Sequence, residues 1–165
     1  MPTLLLVHHS PTRAMQSLLD SVVAGTRDES ITGVDVVVRP ALEATADDVL
    51  QSDGYVLGST ANFGYMSGAL KHFFDSTFLQ VGGSLSSTGA ADESQGATSG
   101  RPFGLYVHGR YDTTGAVRSV LSIVGALGWK QGYDVVEVMG DVDEKDAEAA
   151  YTLGGTIAAL LTLDT

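Results

Sequence analysis

The run Ser59-Thr60-Ala61-Asn62-Phe63-Gly64 places two hydroxyls, a carboxamide, an aromatic ring and a glycine side by side. An apolar stretch, Tyr55 to Leu57, leads into it through Gly58, and a helix opens behind it at Met66-Ser67-Gly68. In an open α/β sheet, ligands bind just past the carboxyl ends of the strands. This run is expected at such a mouth, as a loop. Hydroxyls, an amide and a ring suit a flat aromatic ligand with polar edges better than a metal ion or a nucleoside triphosphate.

Two other runs have matching character. His8-His9-Ser10-Pro11-Thr12-Arg13-Ala14 leads directly to Met15 and a helix. Ser10 or Thr12 can cap that helix, and Pro11 fits a first-turn position. Its exposed amides and the helix dipole make an anion site that needs no lysine. The third run is Val107-His108-Gly109-Arg110-Tyr111-Asp112-Thr113-Thr114-Gly115. Tyr111 can stack on a ring and Arg110 can face an anion. Thr113 or Thr114 is expected to cap the helix that follows.

Alternating strands and helices must hold these runs. Leu4 to Val7 reads as a strand buried on both faces. Met15, Leu18, Leu19, Val22 and Val23 then recur with the spacing of one helix face. Val34 to Val38 is a second strand, and Thr45-Ala46-Asp47-Asp48 opens a short helix. Residues 53–58 form a third strand, followed by a helix carrying Met66, Leu70, Phe74 and Phe78 on one line. Residues 101–108 form a fourth strand; its helix is marked by Val117, Val120, Leu121, Val124 and Leu127, with Gly128 at its C′ position. Tyr133 to Val138 is the fifth strand. The last helix runs from about Asp143 to Leu161, and Gly154-Gly155 within it implies close packing against the sheet.

Strict alternation predicts a parallel sheet covered on both faces, with right-handed crossovers. The expected order is 2-1-3-4-5, which sets the loops after strands one and three across a crevice. Residues 1–165 form one domain. Residues 81–100, rich in Gly and Ser, are expected as a flexible insertion: a surface loop, a flap over the site or a segment ordered by a partner subunit.

Composition removes several classes. With 9 basic and 20 acidic residues the net charge is −11, which opposes binding to nucleic acid or anionic membranes and would fit docking on basic partners. There is no cysteine, so thiolate chemistry and disulfides are excluded. No apolar run approaches the roughly 20 residues of a membrane span, and a cytoplasmic location is expected. GxxxxGK[ST], GxGxxG after the first strand and GxSxG are all missing. His8, His9, His72 and His108 do not converge as a metal set, since successive strand residues point to opposite faces.

The three runs together resemble the flavodoxin-like superfamily, in particular its NAD(P)H-dependent FMN reductases and quinone reductases. The specific part is Ser59 to Gly68, similar to the family's second FMN loop, with the Lys71-His72-Phe73-Phe74-Asp75 helix behind it. His9 to Arg13 looks like its phosphate loop, although Arg13-Ala14 stands where the family has Gly-Asn or Gly-His. The third run lacks the glycine-rich stretch with Gln or Glu seen in quinone reductases. The resemblance therefore implies FMN ahead of any particular reductase chemistry.

It implies a flavodoxin-like three-layer sandwich with a five-stranded parallel sheet. The implied FMN contacts are Ser10, Pro11, Thr12, Arg13, Ala14 and Met15 for the phosphate. Ser59, Thr60, Ala61, Asn62, Phe63, Gly64, His108, Gly109, Arg110 and Tyr111 flank the ring. Hydride transfer to a flavin requires no catalytic acid or base, and His108 is the one candidate for a role near it. NAD(P)H is the implied donor and a quinone or similar small molecule the acceptor, in a homo-oligomer. A one-electron carrier that meets a redox partner protein, and a flavin-free binding module, are the alternatives.

Overall fold

Leu4, Leu5, Leu6 and Val7 are all fully buried in strand β1 (Thr3–His8), Leu4 and Leu6 toward one face, Leu5 and Val7 toward the other. A strand can bury both faces only at the centre of a covered sheet. In this computed structural model, which describes residues 1–85, 87–88, 91–92 and 96–163, β1 holds that place. Next come α1 (Arg13–Thr26), β2 (Asp35–Pro40), α2 (Ala46–Leu50), β3 (Gly54–Asn62), β4 (Tyr65–Met66) and α3 (Gly68–Thr77). The short strands β5 (Ser84–Leu85) and β6 (Ala91–Asp92) pair with each other. Then follow β7 (Pro102–Gly109), α4 (Thr114–Ala126), β8 (Lys130–Gln131), β9 (Val136–Met139) and α5 (Glu144–Leu160).

The parallel order is β2-β1-β3-β7, with β8 and then β9 on the outer side of β7. This is the expected 2-1-3-4-5 order. The fifth strand, expected over Tyr133 to Val138, begins only at Val136: β9 pairs with Tyr106 to Gly109, and β8, ahead of the expected range, pairs with Pro102 and Phe103. Helices α1 and α5 cover one face through Met15, Leu18, Val22, Leu153 and Ile157. Helices α2, α3 and α4 cover the other through Val49, Leu70, Phe73, Phe74, Val120 and Val124. Truncating one of these buried leucines to alanine costs about 2–5 kcal/mol.

Two expectations are corrected. Strand β3 does not end at Gly58. Ser59 and Thr60 stay paired with Val107 and His108 of β7, because Ser59 satisfies its hydroxyl internally and can be buried. Gly154 packs against α1, not the sheet: a Cβ there would overlap the carbonyl of Val22, and Gly155 lies beside Gly25. The glycines allow two helix backbones to touch.

The 81–100 segment is rooted at the amino end of the sheet. The Thr98 hydroxyl donates to the Val81 carbonyl (2.7 Å) and accepts from Trp129 Nε1 (2.8 Å). Trp129 stacks on Tyr55, with ring centres 3.9 Å apart. Residues 86, 89–90 and 93–95 of this segment lie outside the described residues. Among the described residues no helix is long and apolar enough to cross a membrane.

Candidate functional site

At the carboxyl end of β3 the chain turns back sharply. Asn62 pairs with Tyr65, leaving Phe63 (φ 52°) and Gly64 (φ 79°) as a two-residue turn. Both are left-handed, as a tight hairpin of this kind requires. Glycine adopts that conformation freely; phenylalanine does so rarely. The turn thrusts the Phe63 ring into solvent, fully exposed at 109%. Across from it, after β7, Tyr111 is 90% exposed. These rings, with Ala61, Asn62, Gly64, Arg110 and Asp112, line a cleft of about 540 Å³.

The hairpin is braced from behind. Ser59, fully buried, donates through Oγ to the Thr60 carbonyl (2.8 Å) and accepts from Ser67 N–H (2.9 Å). Ser67 caps α3 by accepting from Leu70 N–H (3.1 Å). The Ser59 hydroxyl is thus committed within the protein. Thr60 differs: it is 7% exposed, and its hydroxyl has no partner among the described residues. Buried hydroxyls are nearly always paired, so Thr60 is an unused polar group at this mouth.

After β1, Thr12 caps α1, accepting from Met15 N–H at 3.2 Å. Gln16 N–H donates to the Thr12 carbonyl (3.0 Å). The N–H groups of Arg13 and Ala14 precede the first helical bonds and have no hydrogen-bond partner among the described residues, as expected of a helix start. Pro11 has no N–H to offer. The Ser10 hydroxyl is hydrogen-bonded to His8 Nδ1 (2.8 Å). Burial pushes the His8 imidazole below its ordinary value, and His9 beside it adds to that.

The loop after β7 departs from expectation at its helix cap. Neither Thr113 nor Thr114 caps α4 with its side chain. The buried Thr113 hydroxyl donates instead to the Glu137 carboxylate on β9. Thr113 still occupies the N-cap position, while Asp112 before it accepts from Thr114 N–H at 2.9 Å, and bonds from Thr114 hold its carboxyl below the usual range. Arg110 reaches Asp141 at 4.0 Å, both exposed. His108 Nε2–H donates to the Gly140 carbonyl at 2.6 Å. That carbonyl can only accept, so the bond fixes the proton on Nε2. His108 shares the α1/α5 side of the sheet with Tyr106, while Gly109 faces Ala61 on the other side. His108 therefore anchors the loop after β9, and its proton is committed there.

Sequence reasoning did not single out Tyr106 or Glu137. Tyr106 is fully buried, its hydroxyl has no partner among the described residues, and burial drives that phenol far above its ordinary range. Nothing local in the sequence marks either residue. Their roles depend on which strands adjoin.

Phe63 and Tyr111 thus line one cleft, the N–H groups of Arg13 and Ala14 head α1, and the Thr60 hydroxyl has no partner among the described residues. Sheet order, helix placement and mouth together define the flavodoxin-like α/β fold. No family model matches the chain. A flavodoxin from Aquifex aeolicus is 32% identical over 85 residues, which is 52% of this chain and 45% of that protein, so the match spans less than half of the relative's length. Among solved structures, the flavodoxin of Streptococcus pneumoniae TIGR4 superposes with a TM-score of 0.75 at 20% identity, covering 96% of this chain and 99% of that one. A WrbA-like flavodoxin from Agrobacterium tumefaciens gives 0.73 at 14% identity, with full coverage (100%) of both chains.

Proposed function

We propose that this protein binds FMN between Phe63 and Tyr111 and acts as an oxidoreductase, taking hydride from NAD(P)H and passing electrons to a quinone or similar small acceptor. The observation that carries it is the pair of exposed rings flanking one cleft at the carboxyl ends of β3 and β7. The open N–H groups of Arg13 and Ala14, the unpartnered Thr60 hydroxyl and the flavodoxin match support the same cofactor.

When bound, FMN supplies reversible uptake of one or two electrons, with hydride accepted on its ring. The chain's own work is binding and positioning. Phe63 and Tyr111 sandwich an aromatic system and keep water from its faces. The N–H groups at the start of α1 receive the phosphate. Arg110 and the main-chain N–H groups of the two ring-flanking loops favour negative charge on a ligand edge, against the unfavourable field of a protein with net charge −11. No side chain here needs to move a proton, and His108 holds its own on Gly140.

A one-electron carrier is the second reading, favoured by the acidic charge balance and by the flavodoxin match. The deciding experiment adds FMN to purified protein, then NADH or NADPH with a quinone. Flavin absorbance near ~450 nm retained through gel filtration, with rapid NAD(P)H consumption, is expected. Retained flavin without turnover, together with fast electron exchange with a basic redox protein, would establish the carrier. Failure to retain FMN rejects both.

A further inference from the structure

We propose that the acceptor is an anion: Arg110 leaves Asp141 and pairs with a carboxylate or sulfonate carried on a quinone ring that enters the cleft lined by Phe63 and Tyr111. This assignment rests on the FMN reading above and narrows the class of small molecule that the bound flavin reduces.

The charged residues lining this cleft are Arg110 and Asp112, and they are held differently. Asp112 accepts from Thr114 N–H at 2.9 Å, which commits its carboxylate to the start of α4. Glu137 is engaged in the same region by the Thr113 hydroxyl. Among the described residues, the carboxylate that reaches Arg110 is Asp141, at 4.0 Å, with both side chains exposed. That separation is an ion contact too long for a hydrogen bond. The acids around the cleft are therefore tied to the protein, while the base, 64% exposed, is held by one loose contact.

An exposed ion pair of this kind contributes little to stability, so releasing Asp141 costs little. The new pair is the stronger one. A carboxylate or sulfonate accepts two parallel N–H bonds from the guanidinium fork. A ring lying against Phe63 and Tyr111 displaces water, and charges attract more strongly where water is excluded. The net charge of −11 repels an anion at long range. Inside a Debye length, about 8 Å at physiological salt, the nearest charge decides, and at the cleft that charge is Arg110. A neutral quinone gains nothing from the exchange. Two electrons and two protons pass from reduced flavin to the quinone, which leaves as the hydroquinone. Arg110 gives no proton, since a guanidinium stays charged; it acts on binding.

The test uses no pyridine nucleotide, so it reads the acceptor side alone. FMN-loaded protein is reduced anaerobically by light with EDTA and mixed in a stopped-flow instrument with a neutral naphthoquinone or with its sulfonate. Return of flavin absorbance near ~450 nm gives a second-order rate constant per bound flavin. The ratio of sulfonate to neutral rate constants is then compared among variants. The intrinsic reactivities of the two quinones are common to all of them, so a changed ratio comes from the protein. Arg110→Gln should lower the ratio about tenfold. Arg110→Lys should restore part of it, because it keeps the charge and loses the fork. Asp141→Asn should raise the ratio while Arg110 is present and do so far less alongside Arg110→Gln, a coupling that marks the two as competitors. A ratio that ignores Arg110 in flavin-loaded protein overturns the anionic acceptor alone. An Asp141→Asn effect of equal size with and without Arg110 overturns the exchange. Failure of native protein to retain FMN overturns the cofactor reading, and this assignment with it.

Discussion

Gly115, in the first turn of α4, lies directly against the carbonyl of Gly64 at the tip of the β3–β4 hairpin, so that a Cβ on Gly115 would overlap that oxygen. The helix start thereby sets how far the Phe63 ring stands from Tyr111. Gly115→Ala should push the tip outward and widen the cleft. A backbone clash of this kind costs about 1–3 kcal/mol, part of it released by moving the hairpin. The expected result is a lower melting temperature and FMN affinity weakened about tenfold, equivalent to about 1.4 kcal/mol. An affinity equal to native, measured by fluorescence titration, would show that the hairpin's position does not matter to the ligand.

Phe63 illustrates a conflict between stability and site. Its backbone is left-handed (φ 52°) and its ring is fully exposed. Phe63→Gly should relieve the strain and raise stability by about 1 kcal/mol, seen as a higher denaturation midpoint. The same change should weaken FMN binding by roughly 1–3 kcal/mol, the range for stacking on an aromatic platform. Tyr111→Ala should weaken binding similarly and leave stability within about 0.5 kcal/mol, as exposed positions usually do. Retention of native FMN affinity in both variants would remove the rings from the site.

Tyr106 lies across Gly58, where any Cβ would run into its ring. Gly58→Ala should therefore destabilise, and combining it with Tyr106→Leu should recover part of the loss, a coupling that a double-mutant cycle measures. Tyr106→Phe removes a buried hydroxyl that has no partner among the described residues. Since such a group carries a desolvation penalty of about 1–3 kcal/mol, chemical denaturation should find Tyr106→Phe no less stable than native. A large loss of stability would show that this hydroxyl has a partner.

The layers of the fold were legible because Leu4 to Val7 and the Met15–Leu18–Val22 series report burial directly through their spacing. Polar residues reported less. Ser59 and Thr60 read as loop, yet both continue β3, because a hydroxyl that bonds the Thr60 carbonyl and Ser67 N–H can be buried. Gly154 signalled close packing correctly, but helix spacing does not say whether the neighbour is a sheet or another helix. The cleft was legible in Phe63 and Tyr111, whose loops follow adjacent strands. The commitments of His108 to Gly140 and of Thr113 to Glu137 were not. Each joins residues more than 20 positions apart, through a strand pairing that no local pattern states.

Away from the site, Asp28 ties the turn after α1 to α5. Its carboxylate accepts from Ser30 N–H (2.9 Å), from the Ser30 hydroxyl (2.6 Å) and from the Tyr151 hydroxyl. These bonds, the Ser30 hydroxyl foremost, lower its pKa to about 2. A carboxyl depressed in the folded state stabilises the fold above its unfolded pKa, and the contribution is lost as pH falls through the folded value. The window therefore runs from the ordinary aspartate range, about pH 4, down to about pH 2. In native protein the melting temperature should fall through this window more steeply than in Asp28→Asn, which has no proton to bind there. Tyr151→Phe removes one of the three donors and should shift the fall to higher pH. At neutral pH the variants should melt below native, by no more than native loses through the window, and the difference is small because the network is exposed to solvent and screened. Parallel melting curves for native protein and Asp28→Asn from pH 4 to pH 2 would show that the carboxylate titrates alike in the folded and unfolded chain.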